Sequence, residues 1–285
     1  MKSARPLLSL LVVFVMILAY GNASAGQFTI AIMQEEQGAG KKYRPLQKYL
    51  ASKGIDFSFI AATNFSAAAD MFASGKVDAM FSGSSVAGIF IMKDLATPLV
   101  RPVNTDGTST YSAVIIAPKG SPKFSAKADY FKGKRVILTP LASSGEIYYH
   151  SIPNIKSAGA TIEKAASHGA AIDALAAGKA DVAIVKNRVW DRQKGKYPNL
   201  VLVGRDNEEN PDSTLIVSNK ADAQTVSKVK AALLALKGDM SPQTQEIRKE
   251  MDIQGYVETT KADFKHTMEL LQRAGVSRSF NFVFQ

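Results

Sequence analysis

Two serine-rich turns are the clearest candidates for chemistry in this chain. Residues 81–85 (FSGSS) and 139–145 (TPLASSG) each follow a predicted strand and precede a predicted helix. A helix N-terminus offers unpaired N–H groups and partial positive charge, and serine hydroxyls add further donors. Gly83 and Gly145 allow close approach of the backbone. Facing each other across a cleft, the turns would clamp an oxyanion; the alternative is that the serines only cap their helices.

Evidence for other chemistry is weak. The chain has three histidines, His150, His168 and His266, without the close spacing of a metal motif, and it has no cysteine. Phosphate-loop, dinucleotide and hydrolase-elbow motifs are missing. We therefore expect no cofactor and no metal. An exported serine hydrolase that uses Ser143 or Ser144 with His168 stays open as an alternative, although no third group is evident to orient the histidine.

The N-terminus predicts export. Residues 1–25 combine a short basic start, an apolar run over 7–19 and a small-residue cleavage site at 23–25, as in a secretory signal peptide. Gly26 follows instead of a lipid-bearing cysteine, so we expect a periplasmic protein that is not a lipoprotein. The 285-residue chain carries a net charge of +10, but its basic residues are scattered and export makes nucleic acid a poor partner. A small anion is the better expectation.

Strand and helix patterns alternate along the rest of the chain, which predicts open α/β sheets. Residues 75–78 (GKVD) and 178–181 (GKAD) each follow a predicted helix and precede a buried strand. Two copies in matching contexts suggest two similar lobes. Polar stretches at 104–110 and 205–212 interrupt strands, so the chain would cross twice. We predict one lobe over 26–109 plus 213–285 and the other over 110–212, with ligand between them.

Several short segments, in this order and spacing, resemble the periplasmic phosphate/phosphite/phosphonate-binding proteins of ABC importers. The similarity extends to about residue 217 and thins in the helical tail. It implies a type II periplasmic binding protein: two α/β lobes, each an open mixed sheet flanked by helices, joined by two crossover strands. The segments are 43–46 (YRPL), 75–79 (GKVDA) with 81–83 (FSG), 111–115 (YSAVI), 133–136 (GKRV), 142–145 (ASSG) and 167–171 (SHGAA).

The resemblance also implies a set of residues that line the cleft. Three positions depart from the family pattern. Ala142 replaces the first serine of the clamp, and Ala87 replaces a tyrosine, which would remove an aromatic wall. Lys186 stands where aminoalkylphosphonate binders have an aspartate, and it would favour a further anionic group unless it is merely an exposed lysine that begins a helix. With Lys186, the expected ligand-binding residues are Tyr43, Ser84, Ser85, Tyr111, Ser143, Ser144 and His168.

The resemblance implies no enzyme activity. It implies a soluble component that captures a small phosphorus oxyanion and delivers it to an ABC permease in the inner membrane. Phosphate, phosphite or a carboxylated phosphonate suits Lys186 better than an aminoalkylphosphonate does. The same fold could instead feed a membrane sensor kinase or chemoreceptor, which the residues do not separate from transport. We expect a monomer.

Overall fold

The computed structural model describes residues 27–33, 41 and 43–284. The predicted signal peptide at 1–25 lies outside these residues. Within the described part of the chain, no helix is both long enough and apolar enough to cross a membrane.

The first sheet has six strands in the order β13-β4-β12-β3-β1-β2. Strands β1, β2 and β3 are parallel, whereas β12 and β13 pair antiparallel with their neighbours. The strands are β1 (Phe28–Met33), β2 (Phe57–Ala62), β3 (Ala79–Ser82), β4 (Ala96–Asn104), β12 (Thr214–Ser218) and β13 (Ile253–Glu258).

The second sheet has five strands in the order β10-β6-β9-β7-β8. It repeats the plan of the first sheet, because three parallel strands at one side are followed by antiparallel ones. Both sheets are therefore mixed, as expected for a type II binding protein. The strands are β6 (Ala113–Pro118), β7 (Arg135–Leu138), β8 (Thr161–Lys164), β9 (Val182–Lys186) and β10 (Leu200–Arg205).

The chain passes between the sheets twice. It leaves the first sheet after β4 through β5 (Thr110–Tyr111) and returns after β10 through β11 (Asn210–Pro211). These two short strands pair antiparallel with each other. The two predicted crossovers are thus present and hydrogen-bonded side by side, while the residue boundaries proposed for the lobes stay a prediction.

Helices flank both sheets. Helix α3 is buried along almost its whole length, since its sequence is apolar after the two serines. Helix α9 packs against α3 and also against α4, which belongs to the second sheet. The helices are α1 (Arg44–Ser52), α2 (Phe65–Ala73), α3 (Ser84–Met92), α4 (Ser144–Ser151), α5 (His168–Ala176), α6 (Asn187–Gln193), α7 (Ala223–Ala235), α8 (Pro242–Met251) and α9 (Lys265–Arg273).

The structure corrects several predicted elements. The sequence pattern predicts one helix over 144–158, but the helix ends at Ser151 and a short 3-10 helix (Ile155–Ala158) follows, because Pro153 lacks the N–H that would continue it. The tail, expected to be mostly helical, contains β13 at the edge of the first sheet. Strand β8, also unpredicted, has only one half-buried side chain and therefore little apolar pattern.

The repeated GKVD and GKAD segments do the same work in the two sheets. Gly75 and Gly178 both adopt a positive φ of 72° and end their helices. The Asp78 carboxylate then accepts the N–H of Thr29 at 2.8 Å, and the Asp181 carboxylate accepts the N–H of Arg135 at 2.8 Å. Each aspartate thus ties the start of the third parallel strand to that of the first.

Candidate functional site

A cavity of about 430 Å³ lies at the carboxyl ends of strands from both sheets. Such ends are where ligands bind in open α/β sheets. Every residue expected at the site contributes to its wall. These residues are Tyr43, Ser84, Ser85, Tyr111, Ser143, Ser144, His168 and Lys186.

The first serine turn opens helix α3 without a side-chain cap. Gly83 occupies the N-cap position and has no side chain that could accept the first N–H groups of the helix. Ser84 and Ser85 are buried, and the Ser84 hydroxyl is hydrogen-bonded to the Tyr111 hydroxyl. Ser84 and Ser85 are therefore not caps, and the N-terminus of the helix lines the cavity.

The second turn combines a cap with an orphan hydroxyl. Ser143 is the N-cap of α4, and its oxygen accepts the Glu146 N–H at 3.2 Å. The capping interpretation therefore holds for Ser143. The neighbouring Ser144 Oγ is buried and has no well-formed hydrogen bond among the described residues. A buried hydroxyl without a well-formed hydrogen bond is unfavourable, and a polar group in this cavity would satisfy it.

The backbone before α4 is folded tightly. Leu141 and Ala142 both have positive φ, 63° and 51°, which is uncommon outside glycine. The Ala142 N–H donates to the Glu146 carboxylate at 2.6 Å. Burial raises the pKa of Glu146, although that hydrogen bond and Lys164 oppose the shift. Gly145 lies against β9 so closely that a Cβ would stand 2.1 Å from the Ile184 carbonyl oxygen.

Aromatic rings form one wall of the cavity, although position 87 contributes none. Ala87, on α3, is fully buried in the core and does not line the cavity. The wall comes instead from Tyr43, Phe81 and Tyr256. The ring centroids of Tyr43 and Phe81 lie 6.2 Å apart, and those of Phe81 and Tyr256 lie 6.3 Å apart.

His168 is neutral at physiological pH. It begins helix α5, and its Nδ1 lies 3.4 Å from the Thr139 hydroxyl. Burial and the charge of Lys186 lower the pKa of His168 to about 4. The ring therefore offers a hydrogen bond to a ligand without adding charge.

Lys186 is not a solvated lysine. Its ammonium group pairs with Asp212, a carboxylate whose side chain is only 5% exposed, and Arg188 pairs with the other oxygen at 3.1 Å. The ammonium nitrogen also lies 4.4 Å from the centre of the Tyr111 ring. Burial alone would raise the pKa of Asp212, but Lys186 and Arg188 hold it below its usual value. Lys186 is thus fixed at the cavity wall.

Sequence reasoning missed three charged residues of the cavity: Arg188, Arg192 and Asp212. Arg188 and Arg192 are four residues apart on α6, so they share one face of that helix. This spacing directly after Lys186 was the available signal. Asp212 had no local signal, because its partners lie more than 20 residues away in sequence. Three cations against one carboxylate leave the wall positive.

Two mixed sheets flanked by helices and joined by two paired crossovers form the architecture of a type II periplasmic binding protein. Residues 28–264 match the family model of the phosphonate periplasmic substrate-binding proteins of ABC transporters. The chain belongs to this family, and the match continues beyond residue 217 into the helical tail. No curated protein is similar enough in sequence to count as a match.

Solved structures share the fold at low sequence identity. XAC2383 from Xanthomonas citri, bound to chloride, is 14% identical with a TM-score of 0.72 over 87% of this chain and 97% of that one. PhnD1 from Prochlorococcus marinus, in complex with methylphosphonate, is 15% identical with a TM-score of 0.70 over 87% and 98%. A phosphonate transporter component (PA3383) from Pseudomonas aeruginosa is 16% identical with a TM-score of 0.69 over 89% of each chain.

The hydrolase alternative is wrong. The family consists of transporter binding proteins. The arrangement agrees, since the Ser143 oxygen caps α4 and the Ser144 hydroxyl makes no well-formed hydrogen bond, so neither serine is hydrogen-bonded to His168 among the described residues. A nucleophile without a base in reach is not activated.

Proposed function

We propose that the protein captures a small phosphorus oxyanion in the cavity between its lobes and presents it to an ABC permease of the inner membrane. One observation carries the proposal: a helix N-terminus from each lobe opens into the same positively charged cavity. Helices α3 and α4 would then supply N–H donors from opposite sides of one anion.

Hydrogen-bond supply supports an oxyanion with several acceptor oxygens. The N-cap of α3 has no side chain to accept the helix N–H groups, and the buried Ser144 hydroxyl makes no well-formed hydrogen bond among the described residues. His168 and Tyr111 add neutral polar groups nearby. Phosphate, phosphite and phosphonates present three or more oxygens, which matches donors arriving from two directions.

The charges favour an anionic ligand over an aminoalkylphosphonate. Lys186 and Arg188 share Asp212, while Arg192 makes no ion pair among the described residues. Arg192 could therefore meet a second anionic group, as in a carboxylated phosphonate. An ammonium group on the ligand would face these cations and would have to compete for Asp212 with two existing partners.

Transport is the role that we propose, and sensing stays the second candidate. Closure of the two lobes around the anion would present a surface that differs from that of the open protein. A permease or a sensor kinase could read such a surface. The gene neighbours separate the two, since a transporter needs an adjacent permease and ATPase.

Calorimetric titration tests the ligand assignment. Phosphate, phosphite, methylphosphonate, phosphonoacetate and 2-aminoethylphosphonate are each titrated into the protein, with sulfate for comparison. We expect phosphorus oxyanions to bind and the aminoalkyl compound to bind more weakly than phosphonoacetate. The proposal fails if none of the phosphorus compounds binds.

A matched serine pair locates the site. Ser144→Ala should weaken the best ligand about tenfold or more, because a hydrogen bond to a charged group is worth about 1.5–3 kcal/mol. Ser125→Ala, on an exposed loop, should bind like the parent protein. Equal affinities for the two variants would place the ligand away from α4.

A further inference from the structure

A second polar cluster lies away from the ligand cavity, between helix α9 and the segment that joins β10 to β11. It consists of Glu208, His266 and Glu269, whose candidate ligand atoms all lie within 4.8 Å of one another. None of the three lines the cavity. The two glutamates are exposed, whereas only 7% of the His266 side chain is exposed.

One ring nitrogen of His266 is fixed and the other is orphaned. Nε2 lies 2.8 Å from the buried Asp206 carboxylate, which holds the proton on that nitrogen. Nδ1 is buried, makes no hydrogen bond among the described residues and lies 3.7 Å from a Glu208 oxygen. A buried nitrogen without a hydrogen bond is unfavourable, and a cation bound between this nitrogen and the two carboxylates would satisfy all three groups.

We propose that Glu208, His266 Nδ1 and Glu269 bind a divalent transition-metal ion, with Zn²⁺ as the best fit. An imidazole nitrogen with two carboxylates suits Zn²⁺ and its neighbours better than Mg²⁺ or Ca²⁺, which prefer oxygen alone. Asp206 stands in the position of the outer carboxylate that orients a metal-bound histidine.

The backbone beneath the cluster is already held in place. Next to His266, the Thr267 hydroxyl donates to the buried Asn210 side chain at 2.6 Å. Metal–ligand bonds of about 2.0–2.2 Å require the ligand atoms to close in slightly from their present separations. The exposed glutamates can make that movement by side-chain rotation alone. The ion would then tie the returning crossover to α9 and stabilise their packing.

Metal titration of the untagged, EDTA-treated protein tests the site. We expect one Zn²⁺ per chain by calorimetry, a higher melting temperature with Zn²⁺, and a Co²⁺ visible spectrum. Glu208→Gln and Glu269→Gln should each weaken Zn²⁺ at least about tenfold. Glu250→Gln, an exposed glutamate on α8, is the control and should change nothing.

Two outcomes overturn the proposal. Either no 1:1 binding occurs, or Zn²⁺ binds equally well to all three variants. Burial alone would lower the pKa of His266, yet Asp206 and Glu208 raise it on balance. If Zn²⁺ does not bind, the two carboxylates instead pair with a protonated imidazole ring. Titration of the two glutamine variants with the oxyanions separates this test from that of the proposed function, because oxyanion binding should be unchanged in both variants.

Discussion

At the scale of single residues, Asp212 organises the charges of the cavity. It accepts both Lys186 and Arg188 while almost fully buried. A buried carboxylate between two cations fixes their positions, whereas its removal leaves two charges without a partner in a poorly solvated site. The charges of the cavity are thus arranged around Asp212, which lies far from both of its partners in the sequence.

Asp212→Asn should destabilise the unliganded protein by about 3–5 kcal/mol, the usual effect of breaking a buried ion pair from one side. The measurement is the free energy of urea unfolding without added anions. Asp191→Asn is the control, because Asp191 pairs with Lys194 on the surface at 2.9 Å and should lose less than about 1 kcal/mol. Equal losses would contradict the role given to Asp212.

His168 should make stability depend on pH. Its pKa of about 4 in the folded protein lies below the unfolded value of about 6.5. The unfolded state therefore binds the proton first, and the free energy of unfolding should fall as pH drops from 6.5 to 4. In the His168→Gln variant, the free energy of unfolding should fall less steeply between pH 6.5 and 4. Burial also lowers the pKa of His150 to about 4, but His150 is present in both proteins, so its contribution cancels in the comparison. Parallel curves of unfolding free energy against pH would contradict the pKa given to His168.

At the scale of elements, the sequence predicts the strand–helix alternation and both serine turns. Local apolar runs and glycine stops carry that information, as at Gly75 and Gly178. Prediction from the sequence fails where the pairing of an element or a side chain depends on partners far away in the chain. Strand β13 forms at a sheet edge against β4, about 150 residues earlier in the chain, and Asp212 reaches its partners only after the chain returns from the second sheet.

The two glycines of the turns should behave differently. Gly145→Ala places a Cβ against the Ile184 carbonyl oxygen, so it should destabilise the protein by about 1–3 kcal/mol or more. At Gly83 a Cβ meets nothing within 4 Å, and the loss should be at most about 1 kcal/mol from a poorer N-cap.

Urea unfolding and oxyanion titration of the same two variants separate packing from binding. Gly83→Ala should weaken binding of the oxyanion although the protein still folds, because the added methyl group stands at the N-terminus of α3. Unchanged affinity in Gly83→Ala would mean that α3 does not contact the ligand.

At the scale of the molecule, two sheets of similar plan meet over the cavity. The crossovers β5 and β11 pair with each other, and α9 contacts α3 and α4 from the two sides. The chain passes between the sheets at these two crossovers, and the mechanism that we propose is closure of the lobes about them. The family resemblance predicts this plan; the contacts of α9 with both lobes have no counterpart in the sequence pattern.

Ligand should bring the lobes together. Small-angle X-ray scattering should give a smaller radius of gyration in the presence of a saturating phosphorus oxyanion than in its absence. The same measurement with sulfate at a concentration that calorimetry shows not to bind is the control. An unchanged radius with bound ligand would argue against closure as the mechanism.

The most direct test of the central claim is a crystal structure with a bound phosphonate. The account predicts one anion in the cavity, with oxygens at hydrogen-bond distance from backbone N–H groups at the starts of both α3 and α4 and from the Ser144 hydroxyl. An anion held by one of these turns alone, or bound outside the cavity, would contradict it.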